Sequence, residues 1–142
     1  MKDFETLLAL AISIANQAHA GQLDKAGKPY ILHPLTVMAQ MDTRESKIVA
    51  VLHDAIEDSD LKIEDLVKQG FPEFITEAIA AITKVEGEQY EDYILRVKSN
   101  AIARKVKIAD VTHNMNISRI SNPTEKDFQR LEKYKIVLQK LL

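Results

Sequence analysis

The amino-acid sequence predicts an all-α fold, a compact bundle of about six or seven helices in a single domain over residues 1–142. Apolar residues recur every three or four positions along several stretches, which is the spacing of one buried helix face. The four glycines and four prolines lie mostly between these stretches, where they end helices. The sequence contains no β-hairpin dipeptide, internal repeat or low-complexity tract. A chain of 142 residues has the usual length of one domain.

Five apolar stripes define the predicted helices. In chain order, they consist of Phe4, Leu8, Ala11, Ile12 and Ala15; Ile48, Val49, Leu52, Ala55 and Ile56; Phe74, Ile75, Ala78, Ile79 and Ile82; Ile102, Val106 and Ala109; and Leu131, Tyr134, Val137, Leu138 and Leu141. The third stripe follows Pro72, a residue suited to a first helical turn. We expect the last helix to begin with Asn122 as N-cap, Pro123 at the first position and Glu125 at the third. Residues 20–33 form one long irregular loop, a common location for function.

Composition excludes several classes of protein. The formal net charge is −2, whereas proteins that grip duplex nucleic acid usually carry a basic excess. The absence of cysteine excludes disulfides, thiolate metal sites and cysteine nucleophiles. No apolar run reaches the roughly 18 residues of a membrane span, so no membrane partner is expected. Without a secretory signal or disulfides, we expect a cytoplasmic protein.

A first candidate site lies in the segment 53–58. Helical spacing places His53 over Glu57 and Asp54 over Asp58, next to the second apolar stripe. An imidazole and three carboxylates beside a core are costly unless their charge is compensated, and a divalent metal ion would do so. The alternative is a solvated acidic helix end that also includes Asp60.

A second candidate site lies on a later helix. Lys107, Asp110 and Asn114 are three and four residues apart and share one helical stripe. Asp110 follows two apolar residues, so an unpaired carboxylate there would be expensive. The alternative is an ordinary ion pair between Asp110 and Lys107. For His113, a packing or capping role is favoured over a ligand role.

The two remaining histidines flank the loop. His19 ends the first apolar stripe and can be either a satisfied core residue or a ligand that projects towards the loop. His33 precedes Pro34, which pushes its backbone towards extended geometry and suggests a residue at a helix entry that hydrogen-bonds to a ligand. Two histidines and two aspartates from three helices can form one metal site. Such imidazole and carboxylate ligands favour manganese, with iron, nickel or zinc as alternatives.

These residues form an ordered set of motifs: HAGQ at 19–22, GKPYILHP at 27–34, LHDAIED at 52–58 and KIAD at 107–110, followed by HNM at 113–115. The set resembles the HD phosphohydrolase pattern and, more narrowly, the hydrolase domain of RelA/SpoT proteins, whose stand-alone versions are small alarmone hydrolases. The resemblance spans about residues 1–140. Because no synthetase or regulatory domain follows in this sequence, alarmone synthesis is not expected.

The resemblance implies an HD-domain helical bundle that hydrolyses the 3′-pyrophosphate of a guanosine nucleotide such as (p)ppGpp, releasing pyrophosphate, with one Mn²⁺ ion. It implies that the metal ligands are His19, His53, Asp54 and Asp110. It implies a catalytic pair, Glu57 and Asp58. It also implies nucleotide contacts by Asn114 and Lys25. Lys107 and Lys84 are further candidates to offset the phosphate charge.

Two departures from the family pattern concern the nucleotide base. The family usually has an arginine that stacks on guanine where this chain has Asp24, and another arginine where it has Asn116. Both changes remove a cation near the nucleotide. A preference for an adenosine alarmone, (p)ppApp, is therefore an alternative substrate assignment. Two more assignments stay open: an HD phosphohydrolase that acts on another nucleotide or on a dinucleotide-cofactor phosphate, and an alarmone-binding module without turnover. The sequence predicts no oligomeric state.

Overall fold

A computed structural model describes residues 2–142, which form eight α-helices and one short 3₁₀ helix, Ile117–Arg119. The α-helices are α1 (Phe4–Ala18), α2 (Leu32–Ala39), α3 (Arg44–Leu52), α4 (Ile63–Lys68), α5 (Glu73–Ile82), α6 (Tyr90–Lys98), α7 (Ala101–Asn114) and α8 (Glu125–Leu141). The predicted all-α class is confirmed, although the helix count is higher than expected. The difference reflects short helices such as α4, which at six residues is too short to show a periodic stripe.

Helices α3 and α7 form the centre of the bundle. Residues 48–52 of α3 are completely buried, and α3 packs against α1, α2, α5 and α7. Helix α7 packs in turn against α2, α3, α5, α6 and α8. The carboxyl-terminal end of α3 and the middle of α7 therefore meet inside the bundle, where they place polar side chains next to the core.

Two predicted helix boundaries were wrong. The helix expected over the second stripe ends at Leu52, and residues 53–58 follow it as consecutive turns. The last helix begins at Glu125 with Thr124, rather than Asn122, as N-cap. The Thr124 backbone N–H donates to Asp127 Oδ2 over 2.8 Å, which completes a capping box two residues later than the sequence suggested.

The loop between α1 and α2 is ordered by its own hydrogen bonds. Gly21 and Gly27 adopt φ values of +79° and +80°, a left-handed conformation that glycine adopts without steric cost. An isolated antiparallel bridge joins Leu23 to Pro29, and the Tyr30 N–H donates to the Gln22 carbonyl over 2.9 Å. The loop thereby turns back on itself and carries Tyr30 towards the end of α3. Across residues 2–142, no helix is long and apolar enough to cross a membrane.

Candidate metal centre and adjoining pocket

Four side chains from α2, α7 and the end of α3 meet inside the bundle. They are His33, His53, Asp54 and Asp110, and one potential ligand atom from each lies within 4.8 Å of all the others. All are buried except Asp54, which is partly exposed. Three of the four ligands implied by the family resemblance are thus brought together, and His33 lies in this group where His19 was expected.

His53 presents an unpartnered ring nitrogen to the two aspartates. Its Nδ1 lies 2.5 Å from the Ala50 carbonyl, so this nitrogen carries the proton and donates it. The opposite nitrogen, Nε2, is buried without a hydrogen-bond partner. It lies 3.1 Å from Asp54 Oδ2 and 3.3 Å from Asp110 Oδ1. A backbone carbonyl that fixes Nδ1–H and directs Nε2 towards carboxylates is the usual arrangement of a metal-binding histidine.

His19 also has a buried ring nitrogen without a hydrogen-bond partner, but it lies outside the group of four residues. The side-chain amide of Gln22 donates both of its N–H groups, one to the Ala18 backbone carbonyl at 3.1 Å and one to the Asp58 backbone carbonyl at 2.9 Å. The Gln22 oxygen therefore accepts from His19 Nδ1, 2.9 Å away. The opposite nitrogen, His19 Nε2, is buried with no partner. A buried, unpartnered acceptor is costly, and a cation would satisfy it.

His33 has both ring nitrogens engaged by protein groups. Its Nε2 lies 2.7 Å from Asp110 Oδ1 and donates to this carboxylate, and its Nδ1 lies 2.7 Å from His113 Nδ1. The rings of His33 and His113 stack with their centroids 5.0 Å apart. His33 therefore holds Asp110 in place, and His113 packs behind it, which agrees with the packing role expected for this residue.

Asp110 is the most heavily bonded carboxylate of the site. Besides His33, it accepts from Lys107 Nζ at 3.0 Å and from Asn114 Nδ2 at 3.1 Å. Burial raises the pKa of Asp110, but Lys107 and His53 outweigh it and hold the pKa well below its usual range. For the Lys107 ammonium, burial acts in the opposite direction and lowers the pKa. The adjacent Asp110 carboxylate outweighs burial and raises the pKa of Lys107. The ion pair that the sequence offered as an alternative is thus present.

The remaining aspartate of the group is positioned by an aromatic residue from the loop. Tyr30 donates its hydroxyl to Asp54 Oδ2 over 2.6 Å, and its ring lies 4.9 Å from that of His19 between centroids. Burial raises the pKa of Asp54, but His53 and the Tyr30 hydrogen bond lower it to about 2. The carboxylate is therefore ionised at neutral pH and available to a cation.

Glu57 and Asp58 lie in the turns that follow α3, three and four residues after Asp54. Glu57 Oε1 accepts the Lys84 backbone N–H at 2.5 Å, and partial burial raises the pKa of Glu57. Asp58 Oδ2 lies 3.9 Å from His19 Nδ1, and burial together with Asp54 raises the pKa of Asp58. The Lys84 ammonium itself lies over the Tyr90 ring, 5.2 Å from its centroid. Lys84 therefore contacts Glu57 through its backbone.

A cavity of about 360 Å³ adjoins the cluster. Tyr30 and Asn114, which contact Asp54 and Asp110, form part of its wall. The rest of the lining comes from the loop, the 3₁₀ helix and α8, and includes Lys25, Asp24, Asn116, Arg119, Asp127, Arg130 and Tyr134. Two of the four proposed nucleotide-binding residues, Lys25 and Asn114, therefore border this cavity, whereas the Lys107 ammonium is committed to Asp110.

The donor atoms suit a divalent cation. Imidazole nitrogen and carboxylate oxygen are ligands for manganese, iron or zinc, and two buried imidazole nitrogens have no other partner. Sequence reasoning missed Gln22, Tyr30, Arg119 and Arg130. Gln22 and Tyr30 lie inside the two loop motifs, which is a signal that could have identified them. Arg119 and Arg130 lie in no motif.

The chain is similar to a known domain family and to several known proteins. Residues 11–136 match the HD domain family. The "Probable GTP pyrophosphokinase" of Mycobacterium leprae (strain TN) is 30% identical over 145 residues, which covers 93% of this chain and 18% of that protein. The "Bifunctional (p)ppGpp synthase/hydrolase SpoT" of Escherichia coli (strain K12) is 31% identical over 123 residues, covering 76% and 17%. The chain thus spans less than a fifth of the length of these relatives.

A solved structure described as "A metazoan ortholog of SpoT hydrolyzes ppGpp and plays a role in starvation responses" has a TM-score of 0.77 and 22% identity. The match covers 95% of this chain and 83% of the other, so the two share a fold. Because the family match extends over most of the sequence and includes the histidine and aspartate residues at 19, 53, 54 and 110, this chain belongs to the HD domain family.

Proposed function

We propose that this protein is a metal-dependent hydrolase that removes the 3′-pyrophosphate from a purine nucleotide alarmone of the (p)ppGpp type. The observation that carries the proposal is the pair of buried, unpartnered Nε2 atoms of His19 and His53, next to the ionised carboxylates of Asp54 and Asp110 and the acidic pair Glu57 and Asp58. Relatives named for (p)ppGpp metabolism support the choice of substrate. The proposal includes one domain over residues 1–142 and a cytoplasmic location.

His19, His53, Asp54 and Asp110 would hold one Mn²⁺ ion. His53, Asp54 and Asp110 already converge, and His19 contributes the second free imidazole nitrogen. His33 is assigned a supporting role because its Nε2 proton is donated to Asp110, which leaves no lone pair on that atom. When bound, the ion would lower the pKa of a water molecule and polarise the phosphate.

Glu57, with Asp58, would orient and deprotonate the attacking water. The Lys84 N–H fixes one carboxylate oxygen of Glu57 and leaves the other free, and the raised pKa of Glu57 makes it a better base. Water would attack the phosphorus attached to the ribose 3′-oxygen, and the bond between this phosphorus and the 3′-oxygen would break. The 3′-oxygen takes up a proton, and the products from ppGpp are GDP and pyrophosphate.

The cavity next to the cluster would hold the rest of the nucleotide. Lys25 and Asn114 line its wall, consistent with the contacts assigned to them from the sequence. Lys107 and Lys84 would contribute only long-range positive charge, since neither ammonium lines this cavity.

A side-by-side hydrolysis assay tests the proposal. The purified protein is stripped with a chelator, supplemented with Mn²⁺ and given ppGpp or ppApp, and released pyrophosphate is measured. We expect metal-dependent release from at least one of them, and we expect Asp110→Ala to abolish it. Glu77→Gln, an exposed acid on α5, is the matched control and should retain full activity. Failure to release pyrophosphate from either substrate would refute the assignment.

Adenosine alarmones are the second candidate substrates, because Asp24 and Asn116 replace two arginines of the family pattern. Both residues line the cavity, so the substitutions lie where a base would bind. A higher kcat/KM for ppApp than for ppGpp in the same assay would favour this candidate. Release of phosphate from ordinary nucleotides instead would favour a different HD phosphohydrolase.

A further inference from the structure

The loop and the 3₁₀ helix are joined across the cavity by one ion pair. Arg119 Nη2 lies 3.5 Å from Asp24 Oδ2, and both side chains are partly buried, with 28% and 12% exposed. The other oxygen of Asp24 accepts the backbone N–H groups of Ala26 and Lys28, each at 2.9 Å. Asp24 is thus a rigid acceptor and does not project freely towards solvent or a ligand.

The same geometry fixes the orientation of Arg119. Its Nη1 donates to the His113 carbonyl at the end of α7 over 3.2 Å, while Nη2 faces Asp24. Contacts to the His113 carbonyl, to His113 Nδ1 at 3.4 Å and to Asp24 therefore hold the guanidinium. A guanidinium held by its edges leaves a flat face for stacking on an aromatic ligand.

Charge balance in the cavity favours an aromatic group over a phosphate at this position. Asp24 is paired with Arg119, whereas Asp127 is shared between Arg130, 3.5 Å away, and Lys25, 4.0 Å away, so the uncompensated positive charge lies at Arg130 and Lys25 rather than at Arg119. The lining of the cavity also includes apolar side chains, namely Leu23, Ile117, Ile120 and Leu131. A guanidinium whose charge is already paired has less charge left for a phosphate, whereas its planar face remains able to stack on a base.

We infer that Arg119, oriented by Asp24, forms one face of the site that binds the purine base. The inference rests on the proposed function, because the base is identified by its attachment to a phosphate chain at the metal cluster. It assigns Asp24 a positioning role, so that the aspartate in the loop and the arginine on the 3₁₀ helix act as one unit.

The test separates stacking from charge. Arg119→Met removes both the charge and the plane, and Arg119→Lys keeps only the charge. For Arg119→Met we expect KM for ppGpp to rise by about 2- to 30-fold, the range of a cation–π contact, with little change in kcat. For Arg119→Lys, which loses the planar stacking surface but keeps the charge, we expect a smaller rise in KM. Inhibition by inorganic pyrophosphate, which has no base, should stay unchanged. Asp24→Asn should shift KM in the same direction by less, and Arg44→Met, an exposed arginine paired with Glu5, should have no effect.

Several results would overturn the inference. If Arg119→Lys retains the wild-type KM, charge and not stacking is responsible. If pyrophosphate inhibition weakens in parallel with KM, Arg119 acts on phosphates. An unchanged KM in every variant, with melting temperatures showing that each is folded, would show that Arg119 does not contact the substrate.

A separate binding measurement distinguishes this inference from the proposed function. If the wild type hydrolyses no alarmone, the proposed function fails, and calorimetric titration with GMP, AMP and ribose 5-phosphate decides the inference alone. Tighter binding of either nucleotide than of ribose 5-phosphate, lost in Arg119→Met, would sustain it. Equal affinities for all three compounds would refute it.

Discussion

Replacing Lys107 with Met is expected to destabilise the metal-free protein more than the metal-bound protein. The Lys107 ammonium donates to Asp110 Oδ2 over 3.0 Å and lies over the Tyr93 ring, 5.5 Å from its centroid. Met retains most of the aliphatic stem and removes the charge. Without metal, Asp110 would then be a buried carboxylate that has lost its lysine partner.

The magnitude follows from the remaining contacts of Asp110. Breaking a buried ion pair typically costs about 3–5 kcal/mol, and one hydrogen bond to a charged group contributes about 1.5–3 kcal/mol. His33 and Asn114 still donate to Asp110 after the substitution, so we expect about 2–3 kcal/mol. For a domain of this size, that is a fall in melting temperature of roughly 4–12 °C. Saturating Mn²⁺ should reduce the loss to less than half, because the cation replaces the missing charge.

Urea denaturation followed by circular dichroism, in chelator and in Mn²⁺, measures both values. Lys98→Met is the matched control, since Lys98 is exposed at the end of α6 and should change stability by less than about 0.5 kcal/mol. A loss below about 1 kcal/mol in chelator, or an equal loss in both conditions, would refute the role assigned to Lys107.

Three further predictions concern catalysis and metal binding. Glu57→Gln should retain Mn²⁺ in equilibrium dialysis while kcat falls by about 10²–10⁴-fold, the range of a positioned general base. Arg96 donates to the carbonyls of Ala81 and Thr83 at 3.3 and 2.7 Å and pairs with Glu88. Arg96→Met should therefore loosen the segment after α5, whose Lys84 N–H fixes Glu57. We expect kcat to fall while Mn²⁺ affinity is unchanged. Burial lowers the pKa of His53, but Asp54 and Asp110 outweigh it and raise that pKa well above 6.5. Because the metal binds the unprotonated ring of His53, Mn²⁺ titrations at several pH values should show weak affinity below this raised pKa and stronger affinity as the pH rises through it. At about pH 7, Mn²⁺ binding should release a proton.

Each of these outcomes has a clear opposite. Loss of Mn²⁺ together with activity in Glu57→Gln would make Glu57 a ligand. An unchanged kcat in Arg96→Met, judged against Arg44→Met, would show that the segment after α5 does not position Glu57. Mn²⁺ affinity that is independent of pH between about 6 and 9 would exclude His53 from the metal site.

Local spacing predicted the parts of the site that lie on one helix. Lys107, Asp110 and Asn114 share a stripe of α7 because three- and four-residue separations fix their proximity, and their hydrogen bonds confirm it. The helical class was also predictable, since periodic apolar stripes mark the longer helices. Helix α4 and the ends of α3 and α8 depend on short-range caps that several nearby residues can provide.

Contacts between distant elements could not be predicted from spacing. His33 and Asp110 are 77 residues apart in sequence, and only the packing of α2 against α7 brings them together. From the sequence alone, Asp24 predicted that a cation is missing near the nucleotide. Its partner Arg119 lies in a different element, so the sequence did not indicate that the two residues form a pair. The sequence shows which residues can carry charge, whereas tertiary packing decides which charges are paired.

Pyrophosphate release from ppGpp and ppApp, measured while chelator-treated protein is titrated with Mn²⁺, tests the proposed metal-dependent hydrolysis most directly. We predict that release increases with bound metal, saturates at about one ion per chain, and is lost together with metal binding in His53→Gln. Hydrolysis that persists in excess chelator, or protein that binds Mn²⁺ but releases no pyrophosphate from either nucleotide, would contradict this prediction.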